Sequence, residues 1–228
     1  MKSDFYEELK DGIESFKEII SKYKNHENIE IELRIGQIQF DKFVSGLNNK
    51  DFFDKIRANL DNSQDFKKKT FKTEEKIKNG YRKTVKLNNT RVNKDIVKKE
   101  RVLKMDFKYN NTPYDIRLSV STENNVDSSA IRFTNYITRL KNRNSYYYKD
   151  FKIDLTEVEQ IENSVSSIHY ELEIELINLN SDMSDIYRAH SAFLLMYDFI
   201  NMCEKIEKDS KIEKIEKEIN KDLEKMNI

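Results

Sequence analysis

Residues 29–36, Ile-Glu-Ile-Glu-Leu-Arg-Ile-Gly, alternate apolar and charged side chains without a break. A period of two is the mark of a β-strand, whose successive side chains point to opposite faces. Glu30, Glu32 and Arg34 therefore share one face, and Ile29, Ile31, Leu33 and Ile35 share the other. Residues 170–176, Tyr-Glu-Leu-Glu-Ile-Glu-Leu, repeat the device, with Glu171, Glu173 and Glu175 opposite Tyr170, Leu172, Ile174 and Leu176. Carboxylates stacked along one strand face lie about 6.6–7 Å apart, twice the strand rise. Like charges that close are unfavourable unless water or a counter-ion neutralises them. A hard divalent cation with oxygen ligands, Mg²⁺ or Mn²⁺, suits that role.

Moving outward from these two stretches, other alternating segments carry the opposite sign. Arg139, Lys141 and Arg143 share a face, as do Arg82, Thr84 and Lys86. Arg117, Ser119, Ser121 and Glu123 line up opposite Ile116, Leu118 and Val120. Lys99 and Arg101 alternate with Glu100 and Val102, and Asp154 and Thr156 with Ile153 and Leu155. One charged strand face is ordinarily a solvated face. Seven such strands, some carrying carboxylates and others guanidinium or ammonium groups, call for a common cause. Strands closed into a barrel with polar faces inward supply one. The apolar faces then point outward and must be covered, and the interior becomes a charged channel. Burying those charges unmatched would be very costly. A polyanion together with a divalent metal satisfies both signs at once. Inorganic triphosphate, a nucleoside triphosphate and a 5′-triphosphate end all meet that demand.

The rest of the chain supplies the cover. Phe5, Leu9, Ile13, Phe16, Ile19, Ile20 and Tyr23 recur at helical spacing and predict a helix over 3–24. Phe52, Phe53, Ile56 and Leu60 predict a second helix at 50–60. Further helices are expected over 182–202 and 204–227, the last rich in Lys and Glu. Strands are expected near 66–78, 80–88, 95–108, 114–123, 131–140, 143–153 and 168–178. Turn signals lie at Asn79-Gly80, Asn88-Asn89, Asn110-Asn111 and Glu123 to Ser129. The expected fold is α+β: a closed antiparallel barrel of about eight strands with a charged interior, flanked by N- and C-terminal helices. One domain is expected over 1–228, with the barrel at about 29–178.

Composition narrows the function classes. The 228 residues hold 41 Lys and Arg against 41 Asp and Glu, so bulk charge attracts neither nucleic acid nor acidic partners. Local segregation of sign must do that work. A single Cys, Cys203, excludes a disulfide scaffold and a multi-Cys zinc site. Four Gly and one Pro leave no Gly-rich phosphate loop. The start, MKSDFYEELKDG, has no apolar signal-type core, and no apolar run spans a bilayer. A soluble, cytoplasmic protein with no membrane partner is expected. Tyr146, Tyr147 and Tyr148 offer base-stacking surface, and Lys67-Lys68-Lys69 offers charge to an RNA backbone. Packed strand aromatics and edge charges that discourage strand pairing are the simpler accounts of both.

The segments IEIELRIG, DIRLSVSTE, TRLKNRNSY, IDLTEV and HYELEIEL occur in this order. Together they resemble the triphosphate tunnel metalloenzymes. Within that group they resemble the metal-dependent RNA 5′-triphosphatases of mRNA capping in fungi, protozoa and large DNA viruses. The resemblance spans about residues 29–178. It implies that Glu30, Glu32 and Glu175 ligate the metal, with Glu171 and Glu173 as essential companions. It implies that Arg139, Lys141 and Arg143 grip the phosphates, assisted by Arg34, Arg82, Lys99, Arg101 and Arg117. Glu123 is implied to place the attacking water, and Asp154 and Thr156 to hold the basic side chains. The expected activity is removal of the γ-phosphate from 5′-triphosphate RNA, with free nucleoside triphosphate as a side substrate. A guanylyltransferase domain following in the same polypeptide is an expected partner. The composition, heavy in Lys, Asn and Ile, is compatible with an AT-rich giant-virus source, whose virion or factory would then be the setting. A tripolyphosphatase, a polyphosphate- or inositol-phosphate-binding module without turnover, and a solvated sheet with no tunnel remain as alternatives.

Overall fold

The computed structural model describes residues 2–87, 94–109, 112–127, 131, 133, 134, 136–203 and 205. Helix α1 (Lys2–Tyr23) leads into β1 (Ile29–Gln39), β2 (Lys42–Ser45) and α2 (Lys50–Asn62). Seven strands follow: β3 (Lys67–Lys78), β4 (Tyr81–Lys86), β5 (Lys94–Phe107), β6 (Asp115–Asn125), β7 (Ile137–Tyr148), β8 (Phe151–Glu162) and β9 (Val165–Leu176). Helix α3 covers residues 185–203. The expected helix 204–227 lies outside the described residues but for residue 205, and the turns at Asn88-Asn89 and Asn110-Asn111 lie outside them altogether.

Every strand pairing is antiparallel. The order is β2-β1-β6-β5-β4-β3-β7-β8-β9, and β1 pairs again with β9. That last pairing closes an eight-stranded barrel, as the alternation predicted. It brings the two carboxylate strands together, with Glu32 opposite Glu175 and Arg34 opposite Glu173. β2 stays outside the barrel, paired to the far half of β1.

The outward faces form the apolar core. Ile31, Leu33, Ile35, Ile116, Leu118, Val120, Ile153, Leu155, Leu172 and Ile174 are fully buried beneath the helices. Leu9, Ile13, Phe16 and Ile20 of α1 pack there with Phe52, Phe53 and Ile56 of α2 and Ala189, Phe193 and Met196 of α3. Phe193 stacks edge-on against Phe16 and Phe107. The start of α2 is set by Asn49, whose side chain accepts a hydrogen bond from the Asp51 N–H at 2.7 Å. Asp185 ties α3 to α1, accepting hydrogen bonds from Ser21 at 2.7 Å and Lys24 at 2.8 Å.

Three expectations about the strands are corrected. Residues 137–148, which fall across the two strands expected at 131–140 and 143–153, form one strand, β7, running without a break through 140–143. β8 is a separate strand that starts after a turn at Lys149-Asp150 and continues to Glu162. β9 begins at Val165, three residues early, after a turn on Asn163-Ser164. β2 was not expected at all.

Candidate active site

The barrel closes over a polar cavity of about 340 Å³. Its walls carry seven cationic side chains (Arg34, Arg82, Lys99, Arg139, Lys141, Arg143, Lys152) and four carboxylates (Glu30, Glu123, Glu173, Glu175). A second cavity of about 190 Å³ adjoins it, sharing Arg34, Arg82 and Lys99 as walls. The second chamber is more one-sided, with Arg101 and Arg117 added and Glu32 its single carboxylate among the described residues.

The side chains interlock because neighbouring strands present opposite charges at matched register. Lys99 of β5 faces Glu123 of β6. Its ammonium contacts Glu30 and lies 3.5 Å from Glu123 and 3.9 Å from Glu32. Arg34 reaches Glu32 at 2.8 Å and Glu173 at 3.0 Å. Lys152, opposite Glu175, contacts it and lies 3.4 Å from Asp154. On the basic side, Arg139 pairs with Glu171 at 2.5 Å, and Lys141 with Glu75 at 2.8 Å. Arg143 pairs with Asp154 at 2.9 Å, and its Nε donates to Thr156 at 3.1 Å. Ser145 donates to Asp154 at 2.6 Å. Arg82 bridges the two sides, 3.7 Å from Glu75 and 3.6 Å from Glu123. The Nε of Arg139 is buried without a hydrogen-bond partner among the described residues.

The carboxylates divide electrostatically. Burial and the neighbouring Glu173 push Glu32 up to about 7, and Arg34 and Lys99 only partly offset them. Burial also raises Glu175 against the pull of Lys152. Burial acts on Glu173 too, but Arg34, Arg143, Lys141 and Lys99 outweigh it and hold that carboxyl well below the usual range. Lys141 is pushed down to about 8 by burial, reinforced by Arg143, Arg139 and Arg82 and opposed by Glu75.

The donor set fits a hard cation. The Lys99 ammonium already sits within reach of Glu30, Glu32 and Glu123, so these oxygens surround one positive charge without rearranging the backbone. As the side chains lie, however, no three acidic, His or Cys groups among the described residues stand close enough to hold one ion. Each carboxylate instead has an ammonium or guanidinium partner.

Of the residues singled out from sequence, Glu30, Arg34, Arg82, Lys99, Glu123, Arg139, Lys141, Arg143, Glu173 and Glu175 all line the first chamber. Asp154, Thr156 and Glu171 stand behind it, each bound to a cavity cation. Arg101 and Arg117 lie apart from these, in the second chamber with Glu32. Arg117 is engaged there by Asp106 in a two-pronged pair at 2.6 and 2.8 Å. Tyr146 is buried and donates to Asp61 at 2.7 Å, and Lys68 pairs with the same carboxylate at 2.6 Å, so both serve the scaffold. Sequence reasoning missed Glu75, Lys152 and Asp106. Lys152 shares the alternation of Asp154 and Thr156, a signal that was there to read. Glu75 sits in KKKTFKTEEKIK, where both faces are polar and alternation carries no information.

The chain matches the family model described as mRNA capping enzyme, beta chain, over residues 69–211. That stretch begins in β3 and leaves β1, with Glu30 and Glu32, outside it. The mRNA-capping enzyme subunit beta of Schizosaccharomyces pombe is 36% identical over 97 residues. The match takes in 42% of this chain and 31% of that protein, so the chain spans under a third of the curated relative's length. The S. pombe Pct1 RNA triphosphatase in complex with the Spt5 CTD superposes with a TM-score of 0.69 at 19% identity, covering 82% of this chain and 91% of that one. The mimivirus capping enzyme triphosphatase superposes at 0.58 and 18% identity, covering 84% and 97%. These two likenesses are of fold, and the fold they share is the closed barrel described above. With the family model spanning well over half the residues, the chain belongs to the mRNA capping enzyme beta-chain family.

Proposed function

We propose that the chain is a metal-dependent RNA 5′-triphosphatase that performs the first step of mRNA cap formation. Water attacks the γ-phosphorus of 5′-triphosphate RNA, the β–γ bridging oxygen leaves with the RNA, and orthophosphate and a diphosphate end result. The observation that carries this reading is the first chamber. It sets seven cations against four carboxylates in a cavity of about 340 Å³, a demand met by a polyphosphate bound together with a cation.

Glu30, Glu32 and Glu175 are the residues that would hold Mg²⁺ or Mn²⁺, and the family is metal-dependent. Such an ion, when bound, withdraws charge from the phosphoryl oxygens. Arg139, Lys141 and Arg143 hold the phosphates from one side, positioned by Glu171, Glu75, Asp154 and Thr156. Arg34 and Lys99 hold them from the other. Little covalent chemistry is asked of the protein, and positioning with charge stabilisation supplies the rate. Glu123 orients the attacking water and accepts its proton. Asp154 and Thr156 keep the Arg143 fork aimed inward.

Among the described residues the first chamber has no aromatic wall, which favours a second reading in which tripolyphosphate or free nucleoside triphosphate is the substrate. A guanylyltransferase partner, in the same polypeptide or separate as for a capping-enzyme subunit, a cytoplasmic setting and a large-DNA-virus source are parts of the same proposal. The test compares phosphate release from triphosphate-ended RNA, ATP and tripolyphosphate, with Mg²⁺, with Mn²⁺ and with chelator. RNA turnover that depends on the metal and exceeds the other two supports the reading. Binding of all three without release in any metal would leave a polyphosphate-binding module.

A further inference from the structure

Arg117 behaves unlike the other cavity cations. Its guanidinium lies 4.3 Å from the centre of the Phe43 ring. Its Nε and one terminal nitrogen are chelated by the two oxygens of Asp106. The ring itself sits over Gly36. A Cβ at residue 36 would stand 2.6 Å from two ring carbons and 2.3 Å from the Val44 carbonyl oxygen. The chain thus gives up a side chain on β1 to admit an aromatic from β2, the outer strand that takes no part in closing the barrel. Asp106 neutralises the guanidinium and fixes its plane. The product is a flat, rigid, charge-compensated surface on the wall of the second chamber, beside Ser45 and Arg101. A plane meant to stack gains from both the ring beneath it and the clamp at its edge.

We propose that the Arg117–Phe43 pair is a stacking platform for the base of the first nucleotide of the substrate. This rests on the triphosphatase reading of the first chamber. Two features set the direction. Glu123 lines the first chamber and is absent from the walls of the second. In-line displacement puts the attacking water and the leaving chain on opposite sides of the γ-phosphorus, so a nucleoside lies away from Glu123. Gly36 is four residues beyond Glu32, roughly 13 Å along β1 at the strand rise. That is the order of the span from a γ-phosphate to the base of its own nucleotide. The two chambers share Arg34, Arg82 and Lys99, leaving a continuous basic wall for the intervening phosphates.

The test uses Phe43→Leu, which keeps apolar volume but removes the ring face, and Phe43→Tyr, which restores it. The readout is the ratio of kcat/KM on a nucleotide-bearing substrate, triphosphate RNA or ATP, to kcat/KM on tripolyphosphate, which has no base. For Phe43→Leu both ratios fall about tenfold, the scale of one lost base stack, and for Phe43→Tyr both return to near the wild-type values. Equal losses on all three substrates, or an unchanged ratio, would overturn the platform, as would a loss on RNA with ATP spared. Wild-type protein releasing no phosphate from any triphosphate would instead remove the triphosphatase reading on which the platform rests. Arg117→Lys keeps the charge and loses the plane, and a ratio lowered like that of Phe43→Leu separates stacking from charge.

Discussion

Glu32 and Leu33 are neighbours on one strand, both almost wholly shielded from solvent, and they serve opposite ends. Leu33 points outward into the apolar layer under the helices, where burial stabilises the fold. Glu32 points inward, where burial and Glu173 disfavour its charge. Usually a barrel's inside is its core; here the core lies outside the barrel, between sheet and helices. The inner wall, freed from holding the molecule together, is given to charge. Stability and activity should therefore separate residue by residue along the same strand.

The largest expected effect breaks the inner wall. Glu32→Gln should lower metal-dependent phosphate release by about 10²–10³-fold or more, the scale of losing one group that stabilises transition-state charge. The same change removes an unfavourably buried charge, so the metal-free protein should melt no lower than wild type. A clear drop in melting temperature would show the inner wall to be structural after all. Its counterpart, Leu33→Ala, should cost about 2–5 kcal/mol in denaturant unfolding while kcat/KM at low temperature stays close to wild type. Loss of activity in molecules that remain folded would contradict the division.

The alternation made most of this separation legible in the letters. The stretches 29–36 and 170–176 announced themselves because Ile31, Leu33, Ile35, Leu172, Ile174 and Leu176 are buried in the apolar layer while Glu30, Glu32, Arg34, Glu173 and Glu175 line the two chambers. What stayed hidden had physical reasons. The hairpin turns at Phe40-Asp41 and Asn163-Ser164 place side-chain-bearing residues at positive φ, where Gly and Asn-Gly are the usual signals. The turn at Lys149-Asp150 follows three tyrosines with no Gly or Pro to mark it, so β7 and β8 were misdivided. β2 is only four residues long, and its Phe43 has meaning only beside Gly36 and Arg117, which lie distant in sequence. Phe40, 98% exposed at the tip of that hairpin, has no core role to announce. Glu75 was missed because neither face of β3 is apolar, although the buried Lys141 depends on it.

That dependence gives the next prediction. Lys141, lowered to about 8, is charged below that pH and loses its proton above it in the free protein. The KM for a triphosphate should therefore rise by roughly an order of magnitude between pH 8 and 9.5, the worth of one charge-assisted hydrogen bond. For folding the sign is opposite. Between about 8 and the unfolded value of 10.5 the unfolded chain binds more protons, so this residue's contribution to stability grows with pH. Lys141→Arg, charged throughout, should flatten the KM profile, and a profile unchanged in that variant would mean another group titrates.

The smallest effect lies on the outside, where Asp185 joins α3 to α1. Burial tends to raise its pKa, but the bonds from Lys24, Ser21 and Arg188 hold the carboxyl below its ordinary value of 3.8. Its contribution is thus present above that pH and lost as pH falls through the lowered value. Because Ser21 is exposed and an amide keeps an acceptor oxygen for its partners, Asp185→Asn should cost about 1 kcal/mol at neutral pH, leave activity intact and remove part of the acid sensitivity. A larger cost would place more weight on the helix contact than the geometry gives it.

The central claim is that carboxylates from β1 and β9 act together on a triphosphate inside the barrel. It is tested most directly by phosphate release from triphosphate-ended RNA, with Mg²⁺ and with chelator, for wild type and Glu30→Ala of equal melting temperature. The account predicts release in wild type that the chelator abolishes, and a loss of several hundred-fold or more in the variant. Release by Glu30→Ala at the wild-type rate, or release indifferent to chelator, would contradict it.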